Sequence, residues 1–542
     1  MLTNTRRNFL RKFSWGSLIF GIGGGTSLAS NYNRFDNFQN LKNKVWDPYD
    51  FGAKGDGKTI DTKAIQTAID NCYFNGGGKV VLNSGTFVSG TIILKSNVCL
   101  HIEAGATLLG SKNINDYPDI TPSLLYLYTN RFTRYLIYAE KAENISVTGR
   151  GTIDGRGRKF PYIRGEDKNR PYIIRFSECN NITIRDITFL DSARWLQHYL
   201  ACNNVSIDSI TVISRTRENR DGIDVDSCDK VCISNSYIDS GDDAIVLKST
   251  AMSPCRNIIV SNCVLRSKAS ALKLGTESNG GFENILFTGC TIFNTEGDAI
   301  ALEMVDGGKF ERITVSNIII QNARSAIFVR LGNRAQSIPG LEKPGKGSMS
   351  NIIIDNIQAS GISNTGCSIT GLPDQIIKNI SLSNIQIQFE GEGTIEDAKR
   401  SIPEKPEAYP SSKIYGTLPV YGFFCRHIQN LRFFNIDIEF KKDDIRPVLY
   451  CENVSKSTIV DFNANISPKA DTYFVFKNTE DVMIRGCRPS GSSKSFLHII
   501  DNTSKNISLF NNDFSQVQQE VVVTDLDTNV IIKENINKKG NL

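Results

Sequence analysis

The sequence predicts an all-β chain, a parallel β-helix with one short helix capping its N-terminal end. Three observations carry that prediction. Short runs of alternating apolar residues recur every 23 to 28 residues wherever nothing long is inserted. Asn stands immediately before eleven of the fifteen runs. No long stretch shows the 3.6-residue apolar period of helices. A strand-and-turn unit of this length cannot bury its own apolar face, whereas stacked copies bury a continuous core.

Taken in order, residues 1–30 read as an export leader. They hold Arg6, Arg7, Arg11 and Lys12 and no acidic residue. Thr5-Arg6-Arg7-Asn8-Phe9-Leu10 looks like a twin-arginine motif, and Ser27-Leu28-Ala29 like a small-residue cleavage site. The apolar stretch from Trp15 to Leu28 is too short for a convincing transmembrane span. No cysteine precedes Cys72, so no lipid anchor is indicated. The expected destination is the periplasm or the exterior. The formal net charge is +5, of which the leader supplies +4, leaving about +1 for the remainder. A nearly neutral chain has no electrostatic case for nucleic acid or an anionic membrane.

An Asn-rich spacer covers 31–46, and a single folded domain is expected over 47–535. It opens with Ala64, Ile65, Ala68, Ile69 and Cys72 on one helical face, with Asp61 or Thr59 as N-cap. A helix there would cover the bare end of the strand stack.

The runs begin near Val98, Ile145, Ile182, Val205, Val231, Ile258, Ile285, Ile313, Ile352, Ile380, Leu431, Thr458, Val482, Ile507 and Val530. Asn accepts left-handed backbone and bonds its own turn, so one Asn per coil predicts a stacked turn ladder. Length alone would suggest three or four domains, but the unbroken repeat implies one. Thirteen cysteines are an odd number, and several recur at repeat-equivalent places, such as Cys263 and Cys290 with Ser236 one period earlier. That pattern fits small buried fillers rather than a disulfide framework. No CxxC pair or His/Cys cluster of metal-ligand spacing occurs, so neither a metal nor another cofactor is indicated. Long insertions near 110–135, 334–348 and 390–425 should be flank loops of the kind that build binding walls.

The stretch Asn219–Ser249 holds Asp221 and, 21 residues later, Asp242 followed by Asp243. Since 21 residues is close to one period, Asp221 should land on the coil beside that pair. Neighbouring parallel strands lie about 4.8 Å apart. Three carboxylates that close cannot all ionise freely, so one should stay protonated near neutrality beside an ionised base. That pairing suits hydrolysis of a glycosidic bond. Asp also caps turns in Gly-Asp-Asp stretches, which is the plainer reading.

Asn219-Arg220-Asp221 and Gly241-Asp242-Asp243 resemble the paired motifs of the polygalacturonases, glycoside hydrolase family 28. The resemblance covers roughly residues 48–460 and includes the N-terminal cap. It implies a right-handed, pectin-lyase-like solenoid. It also implies that Asp242 is the general acid and that Asp221 and Asp243 activate water, with Asn219 at the site. Two departures stand out. The family's Gly-His-Gly histidine is replaced by Ser270, and its substrate-gripping Arg-Ile-Lys by Ala301-Leu302-Glu303. Replacement cations are at hand in Lys248, Lys273, Arg330 and Arg334. Trp195 and His198 resemble a Trp-and-His segment that faces sugar in bacterial relatives, although core packing suits Trp195 equally. His427 is a further candidate, reaching in from the long insertion.

The expected activity is that of an exported inverting hydrolase, a monomer, removing units from chain ends of a pectin-like or other acidic polysaccharide. Plain polygalacturonate should be a poor substrate, because Glu303 stands where a cation would hold the carboxylate. A polysaccharide lyase with Lys248 or Lys273 as base, or a non-catalytic carbohydrate-binding β-helix, are the alternatives.

Overall fold

The computed structural model describes residues 44–163, 165–216, 219–524 and 530–537. The expected leader, and the spacer up to residue 43, lie outside the described residues. From Val45 onward the chain forms one unit built of parallel strands. Each coil contributes three strands, and each strand pairs with its equivalents one coil before and one coil after. One series runs through Asn180–Arg185, Asn203–Asp208, Asp229–Ser234 and Cys255–Ser261. A second runs through Thr188–Leu190, Thr211–Ser214, Tyr237–Ser240 and Val264–Ser267. The third runs through Gln197–Leu200, Ile223–Asp226, Ile245–Ser249 and Leu272–Ser278.

The predicted run starts form one buried column. Ile145, Ile182, Val205, Val231, Ile258, Ile285, Ile313, Ile352, Ile380 and Leu431 stack in register. All lie in a single core cluster that extends along the stack. Thr458 is one residue out. Arg432 pairs with Thr458, and the core column continues through Ser457 to Val482. A buried serine in an apolar column breaks the pattern that marks the start. Its hydroxyl is satisfied locally, accepting from Leu431 N at 3.1 Å and donating to Ser455 O at 3.0 Å.

Ten of the eleven marker asparagines have φ between 55° and 64°; Asn529 lies outside the described residues. Their amides form the expected ladder. Asn144 donates to Asn97 at 2.9 Å, Asn181 to Asn144 at 2.9 Å and Asn204 to Asn181 at 2.5 Å. The cysteines are all free and eleven of the thirteen are buried, in keeping with their reading as fillers.

The helix Thr62–Phe74 buries Ala64, Ile65, Ala68, Ile69 and Cys72 against the first coil, as its spacing predicts. Asp61 takes the N-cap position, but its carboxylate does not cap the helix. It accepts instead from the Lys54 and Gly55 amides at 2.8 and 3.0 Å, tying down the preceding loop. Thr59 lies in the strand Asp56–Ile60.

The Asn ladder yields a stability prediction. Alanine at 181 would have to hold left-handed backbone, at about 1–2 kcal/mol, and would lose two ladder bonds of at most about 1 kcal/mol each. Asn181→Ala is expected to lower the unfolding free energy by about 2–3 kcal/mol in urea titration, and Asn181→Gly by roughly half as much. Equal losses in the two variants would show that backbone conformation contributes nothing at this position.

Candidate active site

The third strand series places the acids. Ile223, Ile245, Leu272 and Ile300 are in register across four coils. Counting back two residues puts Asp221, Asp243, Ser270 and Asp298 on one line across the stack. The backbone bonds agree: Gly222 N donates to Asp243 O, Ala244 N to Ser270 O and Ala271 N to Asp298 O, at 2.9–3.1 Å. Asp221 therefore stacks on Asp243, with Asp242 beside it in the turn. Asp242 accepts from Asn219 N at 2.9 Å and from Asp243 N at 3.1 Å. It is half-buried, whereas Asp221 and Asp243 are buried.

Two lysines hold this cluster together. Lys248 Nζ lies 3.6 Å from Asp221, 3.5 Å from Asp224 and 3.4 Å from Glu277. Lys273 Nζ lies 3.1 Å from Asp243 and 3.7 Å from Glu303. Burial and the Asp224 charge raise the Asp221 carboxyl well above the usual range. Burial pushes Asp224 and Glu303 up to about 8, against the pull of Lys248 and Lys273 respectively. Burial and Asp243 raise Asp242. Glu277 goes the other way, to about 2, because Lys248 and Arg334 outweigh its burial. The patch thus combines proton-holding and ionised carboxyls within a few ångströms.

Trp195, His198 and Arg330 depart from expectation. Trp195 is only 5% exposed and packs among Tyr128, Phe132, Tyr172 and His198. Lys248 Nζ sits 4.5 Å from its ring centroid, so Trp195 is the floor beneath a lysine rather than a face offered to sugar. His198 is fully buried between Arg175 and Asp226, to whose carboxylate its Nε2 is bonded at 3.0 Å. Burial and the Arg175 charge push it down to about 3. Arg330 is buried and spends its guanidinium on carbonyls of Glu404, Lys405 and Gly371 at 2.7–3.2 Å, which anchors the third insertion. His427 is also buried, on the strand Phe423–Phe440, and pairs with Glu404 at 2.9 Å. Ser270 reaches the acids through its backbone, N donating to Asp243 at 3.0 Å.

Sequence reasoning missed Asp224, Glu277, Tyr128, Tyr409 and Asp298. Asp224 sits on the same strand face of the cluster as Lys248, and that pairing depends on the coil register. Tyr128, from the first insertion, packs on Trp195 with ring centroids 5.9 Å apart. Tyr409, from the third, brings its hydroxyl to 3.3 Å from Lys273 Nζ, and Ser412 N donates to Asp298 at 3.1 Å. The second insertion is tied in through Arg334, which bonds Asp306 at 3.0 Å and approaches Glu277 at 3.5 Å. All three insertions converge on the acids.

A parallel β-helix carrying an acid cluster roofed by loops defines a class of carbohydrate-active proteins. The model of the glycosyl hydrolases family 28 matches residues 79–404, more than half of the chain, and the chain belongs to that family of glycoside hydrolases. An exo-poly-alpha-D-galacturonosidase of Dickeya chrysanthemi is 26% identical over 434 residues, covering 63% of this chain and 71% of that protein. An endo-polygalacturonase of Pectobacterium carotovorum is 26% identical over 49% of this chain and 71% of its own. A hyperthermoactive exopolygalacturonase from Thermotoga maritima shares the fold, with a TM-score of 0.55, 22% identity and coverage of 73% of this chain and 91% of that one.

The buried acids give the stability a definite pH dependence. Asp221, Asp224 and Glu303 keep protons in the folded state that unfolded carboxyls, titrating near 4, have lost. Between about pH 4 and 8 the folded state binds more protons, and stability falls as pH rises. His198 acts with the opposite sign, but only as pH drops from its unfolded value near 6.5 towards 3. The Glu277 contribution is present above about 4 and is lost only towards 2. From pH 6.5 to 8 the raised acids therefore dominate among these groups. Unfolding free energy is expected to fall over that interval by at most about 1.4 kcal/mol per pH unit for each acid, and less steeply in Asp224→Asn. A wild type that gains stability there, or an unchanged slope in the variant, would contradict the assignment.

Proposed function

We propose that this glycoside hydrolase cleaves bonds in pectin-like or related acidic polysaccharide fragments with inversion, Asp242 protonating the leaving oxygen while Asp221 and Asp243 activate water, Asp243 as its base and the protonated Asp221 as a hydrogen-bond donor that holds it in place. The observation that carries the reading is the stack of Asp221 on Asp243 with Asp242 alongside. Asp242 is the most open of the three, and its raised carboxyl suits a proton donor facing substrate. Asp243 meets a lysine and a backbone amide, partners suited to orienting an acceptor. Asn219, Ser270, Lys273 and Glu303 complete the substrate site.

The substrate class rests on the galacturonan-cleaving relatives. Action at chain ends is supported by the insertions that meet at the acids, since walls around a cleft block the passage of an internal segment. A lyase would need Lys248 or Lys273 as its base. The carboxylates around each lysine raise it well above its ordinary value and keep it protonated, which favours hydrolysis. Export by a twin-arginine route and a monomeric state complete the proposal, the first resting on residues 1–30.

A folded Asp242→Asn enzyme is expected to lose turnover by ~10² to 10⁴-fold while still binding oligosaccharide. Each bond cleaved by the wild type in ¹⁸O-labelled water should place one solvent oxygen at the anomeric carbon of the new reducing end, and none on the fragment that leaves. Most activity surviving in the variant would remove Asp242 from its role, and an unsaturated, unlabelled product would mean elimination.

A further inference from the structure

We infer that the sugar seated against Lys273, Glu303 and Tyr409, on the coils that follow the acid pair, is an uncharged one. This deepens the hydrolase reading and rests on it. Lys273, Lys248, Arg334 and Arg330 all have partners already. Lys273 is shared between Asp243 and Glu303, at 3.1 and 3.7 Å. Lys248 faces three carboxylates within 3.6 Å. Arg334 is divided between Asp306 and Glu277, at 3.0 and 3.5 Å. Arg330 is taken up by loop carbonyls at 2.7–3.2 Å. A substrate carboxylate arriving here would have to displace a carboxylate or a carbonyl of the protein from its cation.

The line of residues below Lys273 offers no replacement. Lys273 stacks on Ala301, and Ala301 on Phe328. Ala301 and Phe328 are buried in an apolar cluster with Tyr415, Leu418 and Phe424. Acid groups, by contrast, are close. Glu303 is held by Thr276 Oγ1 at 2.9 Å, and Asp298 lies in register with Ser270. In a partly dry site a uronate beside these groups would find no uncommitted cation, and its charge would press their carboxyls further towards the protonated form.

The same groups suit a neutral sugar well. Paired ions present both donors and acceptors to hydroxyls without demanding a counter-charge. Tyr409 adds a stacking face. Its side chain remains 57% exposed although its hydroxyl lies 3.3 Å from Lys273 Nζ. Lys273 and Arg334 stand 5.5 and 5.9 Å from its ring centroid, which fixes the ring at the mouth of the acid cluster. An aromatic face held there fits the C–H face of a sugar ring. Glu303 and Tyr409 are thus specificity determinants, and the scissile chain is one in which uncharged sugars alternate with, or decorate, acidic ones.

The test is a matched pair of probes, α-1,4-linked trigalacturonate and the neutral trisaccharide made by reducing its carboxyl groups. Calorimetric titration of the full-length Asp242→Asn protein should show the neutral trisaccharide binding at least ~10-fold more tightly. Adding Tyr409→Ala should weaken the neutral probe by about 10-fold, and adding Glu303→Lys should narrow the gap by giving the acidic one a cation. Equal or tighter binding of trigalacturonate, or no binding of either probe, would overturn the inference. The hydrolase reading is judged separately, by solvent-oxygen incorporation and Asp242 dependence on whichever polysaccharide is turned over. Those results can hold while the neutral-sugar assignment fails.

Discussion

Everything in this molecule depends on the hydrogen-bonded register between successive coils. Parallel ladder bonds convert a distance along the chain into contact across the stack. Gly222 N to Asp243 O and Ile223 N to Ala244 O, at 2.9 and 3.0 Å, bring together carboxylates 22 residues apart. The same register aligns Val205, Val231 and Ile258 in the core. A slip of one residue would turn apolar side chains outward and take Asp221 off the Asp243 line in a single step. Core and site are therefore specified by one geometric condition, and the Asn ladder at the turn enforces it from outside.

Burying so many carboxyls on one face is costly in itself, and the surrounding groups show how the cost is offset. Lys248 and Lys273 each sit between carboxylates of different coils, and Arg334 joins Asp306 to Glu277. Breaking such a group by removing one member leaves uncompensated charge, which is worse than replacing the set. The aromatic floor of Trp195, Tyr172 and Phe132 and the roof from the insertions keep water scarce, so these interactions stay strong. Scarce water also keeps protons on Asp221, Asp224 and Glu303. Electrostatic cost and proton-holding capacity have one origin.

Repeat period, marker asparagines, cap helix and the acid triplet were legible in the sequence because each is a local pattern repeated at fixed intervals. The run start at Thr458 is one residue late because the true first residue, the buried Ser457, carries no apolar signal, and Asp61 holds the N-cap position while its carboxylate serves the loop before the helix. The site was legible only in part. Asp221, Asp242 and Asp243 follow from spacing and family motif. Asp224 and Glu277 are recognisable only once the register sets Lys248 between them. Tyr128 and Tyr409 arrive from insertions with no repeat to align them. His198 and Arg330 show the converse, since residue types apt for binding sugar are spent on Asp226 and on the Glu404 and Lys405 carbonyls.

The central claim is that the stacked carboxyls act on opposite faces of a sugar, one as acid and the others through water. It is tested most directly by following the first seconds of turnover by proton NMR and reading the anomeric signal of the newly formed reducing end. The account predicts the configuration opposite to that of the bond cleaved, before mutarotation sets in. First-formed product with retained configuration would contradict it, because retention needs a covalent intermediate on one of these carboxylates.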